Sequence, residues 1–281
     1  MTLRIHHLNC GTMCLLCERL INRLDGSWRK PGRFVCHCLA IETSEGLVMV
    51  DTGLGQRDIQ DPVRRLGRAY TTVFRPVLNQ EETAVAQLRR LGFKPADVRH
   101  IAVTHLDLDH AGGLADFPQA QVHVFKPELE QIRNPGVRER QRFRFNQFDH
   151  NPRWVVHEEV GESWFGFDGI RAIPGLPVDI LLIPLIGHTK GHTGVAVKQG
   201  DKWLLHCGDA YYHHSQVTSS PQVPGGSMFF QRGIASLPKD RVRNLRRLQE
   251  LAHKHADEVE LFSAHDPVEL ERYVTHDTVT A

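Results

Sequence analysis

No stretch of this 281-residue sequence stays apolar for the roughly 20 residues that a membrane-spanning helix needs. The opening residues, MTLRIHHLNCG, lack the apolar segment of a secretory signal, so a cytoplasmic protein is expected. An excess of one charge is also missing. Lys and Arg number 34 against 33 Asp and Glu, and the net charge of +1 leaves no electrostatic footprint for nucleic acid or an anionic membrane. Neither an internal repeat nor a low-complexity linker is present, which removes solenoids and tethered arrays from consideration. The six cysteines are scattered and are expected to be free thiols in a reducing compartment. Cys10, Cys14 and Cys17 have a C-x3-C-x2-C spacing that also holds iron–sulfur clusters, but they read better as small apolar fillers near the start of a strand.

Histidine, by contrast, is abundant: eighteen residues, several of them at the ends of apolar segments, where ligands are usually presented. The segments FVCHCLAIET (34–43) and GLVMVDTG (46–53) predict a hairpin turning at Ser44–Glu45–Gly46. Residues 79–93 predict one helix, capped by Asn79 and Glu82, with Ala84, Val85, Leu88 and Leu91 on its buried face and Gly92 ending it. A short buried strand, VRHIAVTH (98–105), follows, and VHVFKPELEQI (122–132) repeats the strand-then-helix order. Residues 133–160, rich in arginine and aromatics, read as a solvated helical excursion covering an active site. Three strands, at 179–189, 194–200 and 202–209, precede an amphipathic helix at 238–255 with Val242, Leu245, Leu248 and Leu251 on one face. A final strand, EVELFSAHD, ends in histidine, and the polar tail after Tyr273 is expected to fray. Two groups of strands, each followed by helices, suit an α/β sandwich of two mixed sheets with helices outside.

The stretch THLDLDHAGG (104–113) gathers His105, Asp107, Asp109 and His110 within six residues. If extended, it points 105, 107 and 109 one way and Leu106 and Leu108 into the core. A helix starting at Ala111 then rotates His110 away. The segment can thus offer His105 and Asp107 to one metal and Asp109 and His110 to a neighbour. GHTKGHTG (187–194) adds His188 and His192, HCGDAYY (206–212) adds Asp209 with Tyr212 three residues on, and SAHD (263–266) adds His265. Recurrence of such residues at four segment ends is not a chance pattern.

These four motifs, in this order and with VDTG (50–53) upstream, resemble the metallo-β-lactamase superfamily over about residues 34–267. The N-acyl homoserine lactonases, the quorum-quenching subgroup, are the most similar in CHCLAIETSEGLVMVDTG and in the tyrosine after the aspartate. The resemblance implies an αββα metallo-β-lactamase fold spanning 1–281 as one domain. Residues 1–33 would form an N-terminal extension or strand, and 126–160 and 211–234 would cover the active site. It implies two divalent metal ions, zinc first. His105, Asp107 and His188 would hold one, Asp109, His110 and His265 the other, and Asp209 would bridge both. His192 becomes a supporting residue. Asp51 either orients a ligand histidine or simply forms a turn before Gly53.

Asp107 departs from the family pattern, which has histidine there. As a harder, charged ligand it shifts preference toward iron or manganese. The implied reaction is attack by a hydroxide shared between the ions on the carbonyl of a lactone or similar cyclic ester. Tyr212 donates to a developing oxyanion and Asp109 passes a proton to the leaving group. The alternatives are thioester or phosphodiester hydrolysis, or a non-catalytic metal-dependent ligand-binding protein. A glutathione-type thioesterase is disfavoured by the brief segment after His265, which leaves no room for a basic C-terminal domain. Trp164, Phe165, Phe167, Met228, Phe229 and Phe230 line an acyl-tail pocket or belong to the core, and His213 and His214 touch substrate or solvent. The expected partner is a small-molecule lactone or ester, with no nucleic acid and no membrane. The first 33 residues are expected to serve as a homodimer contact or as a lip over the site.

Overall fold

The computed structural model describes residues 3–137, 139–158 and 161–277. Seven strands among the described residues form the first sheet: β1 (Ile5–Leu15), β2 (Gly32–Thr43), β3 (Gly46–Val50), β4 (Pro76–Val77), β5 (Val98–Ala102), β6 (Gln121–Phe125) and β7 (Arg153–His157). Their spatial order is β4-β1-β2-β3-β5-β6-β7. Six more form the second sheet: β8 (Glu162–Trp164), β9 (Phe167–Ala172), β10 (Ile180–Pro184), β11 (Thr193–Gln199), β12 (Lys202–His206) and β13 (Val259–Phe262), in the order β13-β12-β11-β10-β9-β8. Both sheets are mixed. β3, β5, β6 and β7 run parallel, as do β12 and β13, while the remaining pairings are antiparallel.

The β2–β3 hairpin turns at Ser44–Glu45, with Thr43 paired to Gly46 and Gly46 at φ +116°, a conformation glycine adopts without a Cβ penalty. A strand buried on both faces reads as a continuous apolar run, as β3 does. Leu39, Ile41, Val48 and Val50 of the first sheet meet Leu182, Val195, Val197 and Phe262 of the second in a core between the sheets. On the outer face of the first sheet, Val85 and Leu88 of helix Ala84–Arg90 pack with Met49 and Ile101. Leu248 and Leu251 of helix Pro238–Lys254 cover the second sheet through Ala196 and Leu205. Helix, sheet, sheet, helix is therefore the layer order.

Local departures from the sequence expectations have local causes. The helix expected over 79–93 splits into a 3₁₀ turn, Gln80–Glu82, and the helix Ala84–Arg90. Asn79 caps the turn, and Thr83 accepts from Ala86 N–H to cap the helix, so the capping box with Glu82 does not form and Leu91 lies exposed. The described residues of 133–160 do not form the expected helical excursion: two 3₁₀ turns, Glu139–Gln141 and Phe145–Gln147, lead into β7 on the edge of the first sheet. Val242 faces solvent on its helix. Residues Pro267–Asp277 continue as a helix, so fraying does not begin at Tyr273, whose ring stacks on His7 at 3.8 Å; residues 278–281 lie outside the described residues. No described helix is long and apolar enough to cross a membrane.

Candidate metal centre

Parallel strands β3 and β5 end side by side, which brings Asp51 against Thr104. The Thr104 N–H donates to Asp51 Oδ1 at 2.7 Å and its hydroxyl donates to Asp51 Oδ2 at 2.7 Å. These bonds turn the chain out of the sheet before His105, and β5 ends at Ala102. Asp107 is extended and the helix begins at Leu108 rather than at Ala111. Asp109 and His110 thus share one turn, while Leu106 and Leu108 are buried as expected. His188 follows β10 beside Gly187, which has a φ of +147° and where a Cβ would strike the Arg241 backbone, so no side chain is admitted. Asp209 follows β12, and His265 follows β13.

The seven residues converge into two groups, His105 with Asp107, His188 and Asp209, and Asp109 with His110 and His265. Asp209 faces both. Its Oδ2 lies 3.1 Å from His188 Nε2 and 3.8 Å from His105 Nε2, and its Oδ1 lies 3.0 Å from His265 Nε2 and 3.2 Å from His110 Nε2. In the second group His110 Nδ1 donates to Asp51 Oδ2 at 2.8 Å and His265 Nδ1 to the Val35 carbonyl at 2.8 Å. Both partners are acceptors only, so each ring has a proton on Nδ1 and turns its Nε2 toward the other, 3.3 Å away. Burial disfavours charge on either ring, but Asp209 and its neighbours outweigh it and raise both, His110 well above its ordinary value. The pair therefore draws positive charge, a proton or a metal ion, to its Nε2 atoms. Asp209 Oδ1, buried beside them, has no hydrogen-bond partner. The donor set fits a divalent ion.

Burial disfavours the charged Asp209 carboxylate, but His265, His188, His110 and His105 outweigh it and hold the group well below the usual carboxylate range. Burial, with His110 beside it, pushes His105 down to about 3, so it stands neutral. His105 Nδ1 reaches Thr104 Oγ1 at 3.0 Å, which links it through Thr104 to Asp51, and its Nε2 lies 3.1 Å from Asp107 Oδ2. His192 stays out of the ligand set: its Nδ1 donates to the Leu185 carbonyl and its Nε2 accepts from the Asp209 N–H at 2.9 Å. It holds Asp209 in place.

Residues 31–251 match the family model described as the metallo-β-lactamase superfamily. The chain belongs to the metallo-β-lactamase superfamily. As a member it is a metallo-hydrolase, with a His/Asp cluster suited to two metal ions. It is 41% identical over 266 residues to a probable metallo-hydrolase of Mycobacterium tuberculosis, covering 94% of this chain and 80% of that protein. It is 26% identical over 271 residues to the N-acyl homoserine lactonase AttM of Rhizobium radiobacter, covering 94% of each. Among solved structures, an N-acyl homoserine lactone hydrolase with N-hexanoyl-L-homoserine at its catalytic metal centre shares the fold. Its TM-score is 0.66, at 22% identity and 97% coverage of both chains.

In this metallo-hydrolase the candidate centre opens onto a cavity of about 760 Å³ walled by Met13, Phe34, Tyr70, Phe74, Phe230 and Ile234, with Asp107, Asp109, Asp209 and Tyr212 at its base. The expected aromatic lining is largely corrected. Trp164, Phe165 and Phe167 pack under helix Pro238–Lys254, Phe229 is 76% exposed, and of the two aromatic groups only Phe230 faces the cavity. His213 stacks on His214, which pairs with Asp266 at 2.7 Å, and neither lines the cavity. Cys10, Cys14 and Cys17 are free thiols and form no ligand group among the described residues. β1, inside the first 33 residues, pairs with β2 and β4, and Met13 from it reaches the cavity wall.

Two residues of the centre carried no signal in the motifs. Glu128, fully buried, accepts from Leu106 N–H at 2.8 Å and from Gly191 N–H at 3.1 Å, tying together the loops that present Asp107 and His188. Arg142 pairs with Asp107 through Nε–Oδ1 at 2.5 Å and Nη2–Oδ2 at 2.6 Å. Burial works against the Arg142 charge, but Asp107 outweighs it and raises the guanidinium above its ordinary value. Asp51 acts on geometry rather than as a bare turn former, since it accepts from both Thr104 and His110. Asp51→Asn, which sets an amide N–H among these donors, is expected to lower metal affinity by about 10–100-fold. Competition with a chromophoric chelator checks this, and unchanged affinity would assign Asp51 to the turn alone.

Proposed function

We propose that this metallo-hydrolase opens a lactone or similar cyclic ester that carries an apolar tail, with N-acyl homoserine lactones the first substrates to try. One observation carries the reading. The Asp209 carboxylate spans two sets of imidazole Nε2 atoms at the floor of a cavity whose walls are mainly apolar. AttM and its relatives, named as lactonases, support the ester class. Two divalent ions held by His105, Asp107, His188 and Asp209, and by Asp109, His110, His265 and Asp209, would supply Lewis acidity and a water activated near neutral pH. Imidazole and carboxylate donors suit zinc, manganese or iron.

The chain's own residues supply the rest. Burial, with Asp209 next to it, pushes the Tyr212 hydroxyl well above its ordinary range, so it stays protonated and able to donate. Its Oη lies 3.5 Å from His188 Nδ1 and faces the cavity, which suits a hydrogen bond to a developing oxyanion. Burial, against the pull of His110 and His265, raises the Asp109 carboxyl, a direction that suits passing a proton to the leaving alkoxide. Phe34, Tyr70, Phe74 and Phe230 offer apolar surface to a tail.

Acid release followed in a pH-stat, with lactones from short γ-lactones to long-chain N-acyl homoserine lactones, tests the proposal. Metal-loaded protein is expected to turn over lactones faster as the tail lengthens, and chelated protein to stop. Loaded protein that opens no lactone in the series would overturn the reading.

A further inference from the structure

Asp107 and Arg142 form one unit whose consequence reaches past the reaction class. The guanidinium has five N–H donors, and each has an acceptor. Nε meets Asp107 Oδ1, and Nη2 meets Asp107 Oδ2 and, at 2.5 Å, His188 Nε2. Nη1 meets the Ile234 carbonyl at 2.8 Å and the His188 carbonyl at 3.3 Å. The side chain is only 14% exposed. Its segment is anchored on both sides: Glu139 binds Gly136 N–H, Gln131 and Ser236, and Phe143 is buried in the first sheet's outer core.

His188 Nε2 has one in-plane lone pair. It can accept from Arg142 or coordinate a cation, but it cannot do both. Asp107 Oδ2 is drawn in the same two directions. The other half of the centre is different, since none of the Arg142 contacts reaches Asp109, His110 or His265. We propose that Arg142 and a cation in the His105–Asp107–His188 half exclude one another. The chain then holds one divalent ion firmly, among Asp109, His110, His265 and Asp209, and admits a second only by displacing Arg142. Charge-assisted, bidentate pairs are the strong ones, so the displacement separates the two affinities by about tenfold or more. This rests on the reading that the two groups bind metal, but not on the identity of the substrate.

The test is metal stoichiometry. Chelated full-length protein is titrated with Mn²⁺, desalted and assayed for metal per chain, with electron paramagnetic resonance on the same samples. Wild type is expected to retain one ion and to show the signal of an isolated Mn²⁺ at low loading. Arg142→Ala and Arg142→Gln are expected to retain two ions and to show a spin-coupled pair. Two equivalent ions in wild type, or one ion in both wild type and folded variants, overturn the proposal. If neither variant folds, the wild-type titration decides alone: one firm site supports it, and a coupled pair at low loading overturns it. Lactone turnover is not read, so an unsuccessful substrate series leaves this result standing, and two equivalent ions would leave lactone opening intact.

Discussion

Asp209→Ala is expected to lose metal and to cut lactone turnover by about a thousandfold. Asp209 is the one side chain whose two oxygens face different donor groups, His188 and His105 on one side and His265 and His110 on the other. Removing it takes away the one carboxylate that the four buried imidazoles share, leaving Asp107 beside His105 and His188 and Asp109 beside His110 and His265. Metal-ion catalysis contributes several kcal/mol of transition-state stabilisation, and several kcal/mol is about a thousandfold in rate. Metal content and pH-stat rates on the same sample check this, with a thermal melt to establish that the variant folds. Full metal content with undiminished turnover would remove Asp209 from the centre.

Glu128→Ala is expected to destabilise the protein by roughly 2–6 kcal/mol, since it strips the acceptor from two buried N–H groups at about 1–3 kcal/mol each. Leu106 lies between His105 and Asp107, and Gly191 lies in the loop that carries His188, so the same change loosens both loops of the first group. Glu128→Gln isolates the charge. Burial raises the Glu128 carboxyl from its ordinary 4.5 to about 7 in the folded chain, against the Thr189 hydroxyl and the Leu106 N–H, which favour the anion. A raised folded value means that the contribution is fully present below about pH 4.5 and is lost as pH climbs through about 7. The stability of metal-free wild type relative to Glu128→Gln is therefore expected to fall across that window. Melting temperatures of both proteins from pH 4.5 to 8 measure it. A constant difference would mean that Glu128 is ionised throughout, held so by its backbone donors.

Much of the centre was legible because its residues act through short-range pattern. Four apolar segments each end in His or Asp, and the strand or turn that presents them is set within a few residues. The row at 105, 107 and 109 was misjudged in its backbone, since the helix begins at Leu108, yet the same pairs emerged because His105 with Asp107 and Asp109 with His110 are separated by the turn either way. Aromatic clusters carry no such address. Trp164 and Phe167 read like a pocket lining but pack beneath a helix, whereas Met13, Tyr70 and Phe74, unmarked in the sequence, form the wall.

The sequence by itself determined the candidate ligand types, their order along the chain, the layered fold and the one unusual position, Asp107. Only the tertiary structure decided what Asp107 faces. Arg142 lies 35 residues further on, in a segment whose arginines all look alike as text, and one of them reaches the centre because Glu139 and Phe143 pin its loop there. A buried carboxylate requires a partner, but which of several cations becomes that partner depends on where chain closure places them. That choice is made by packing between distant segments, and no local periodicity records it.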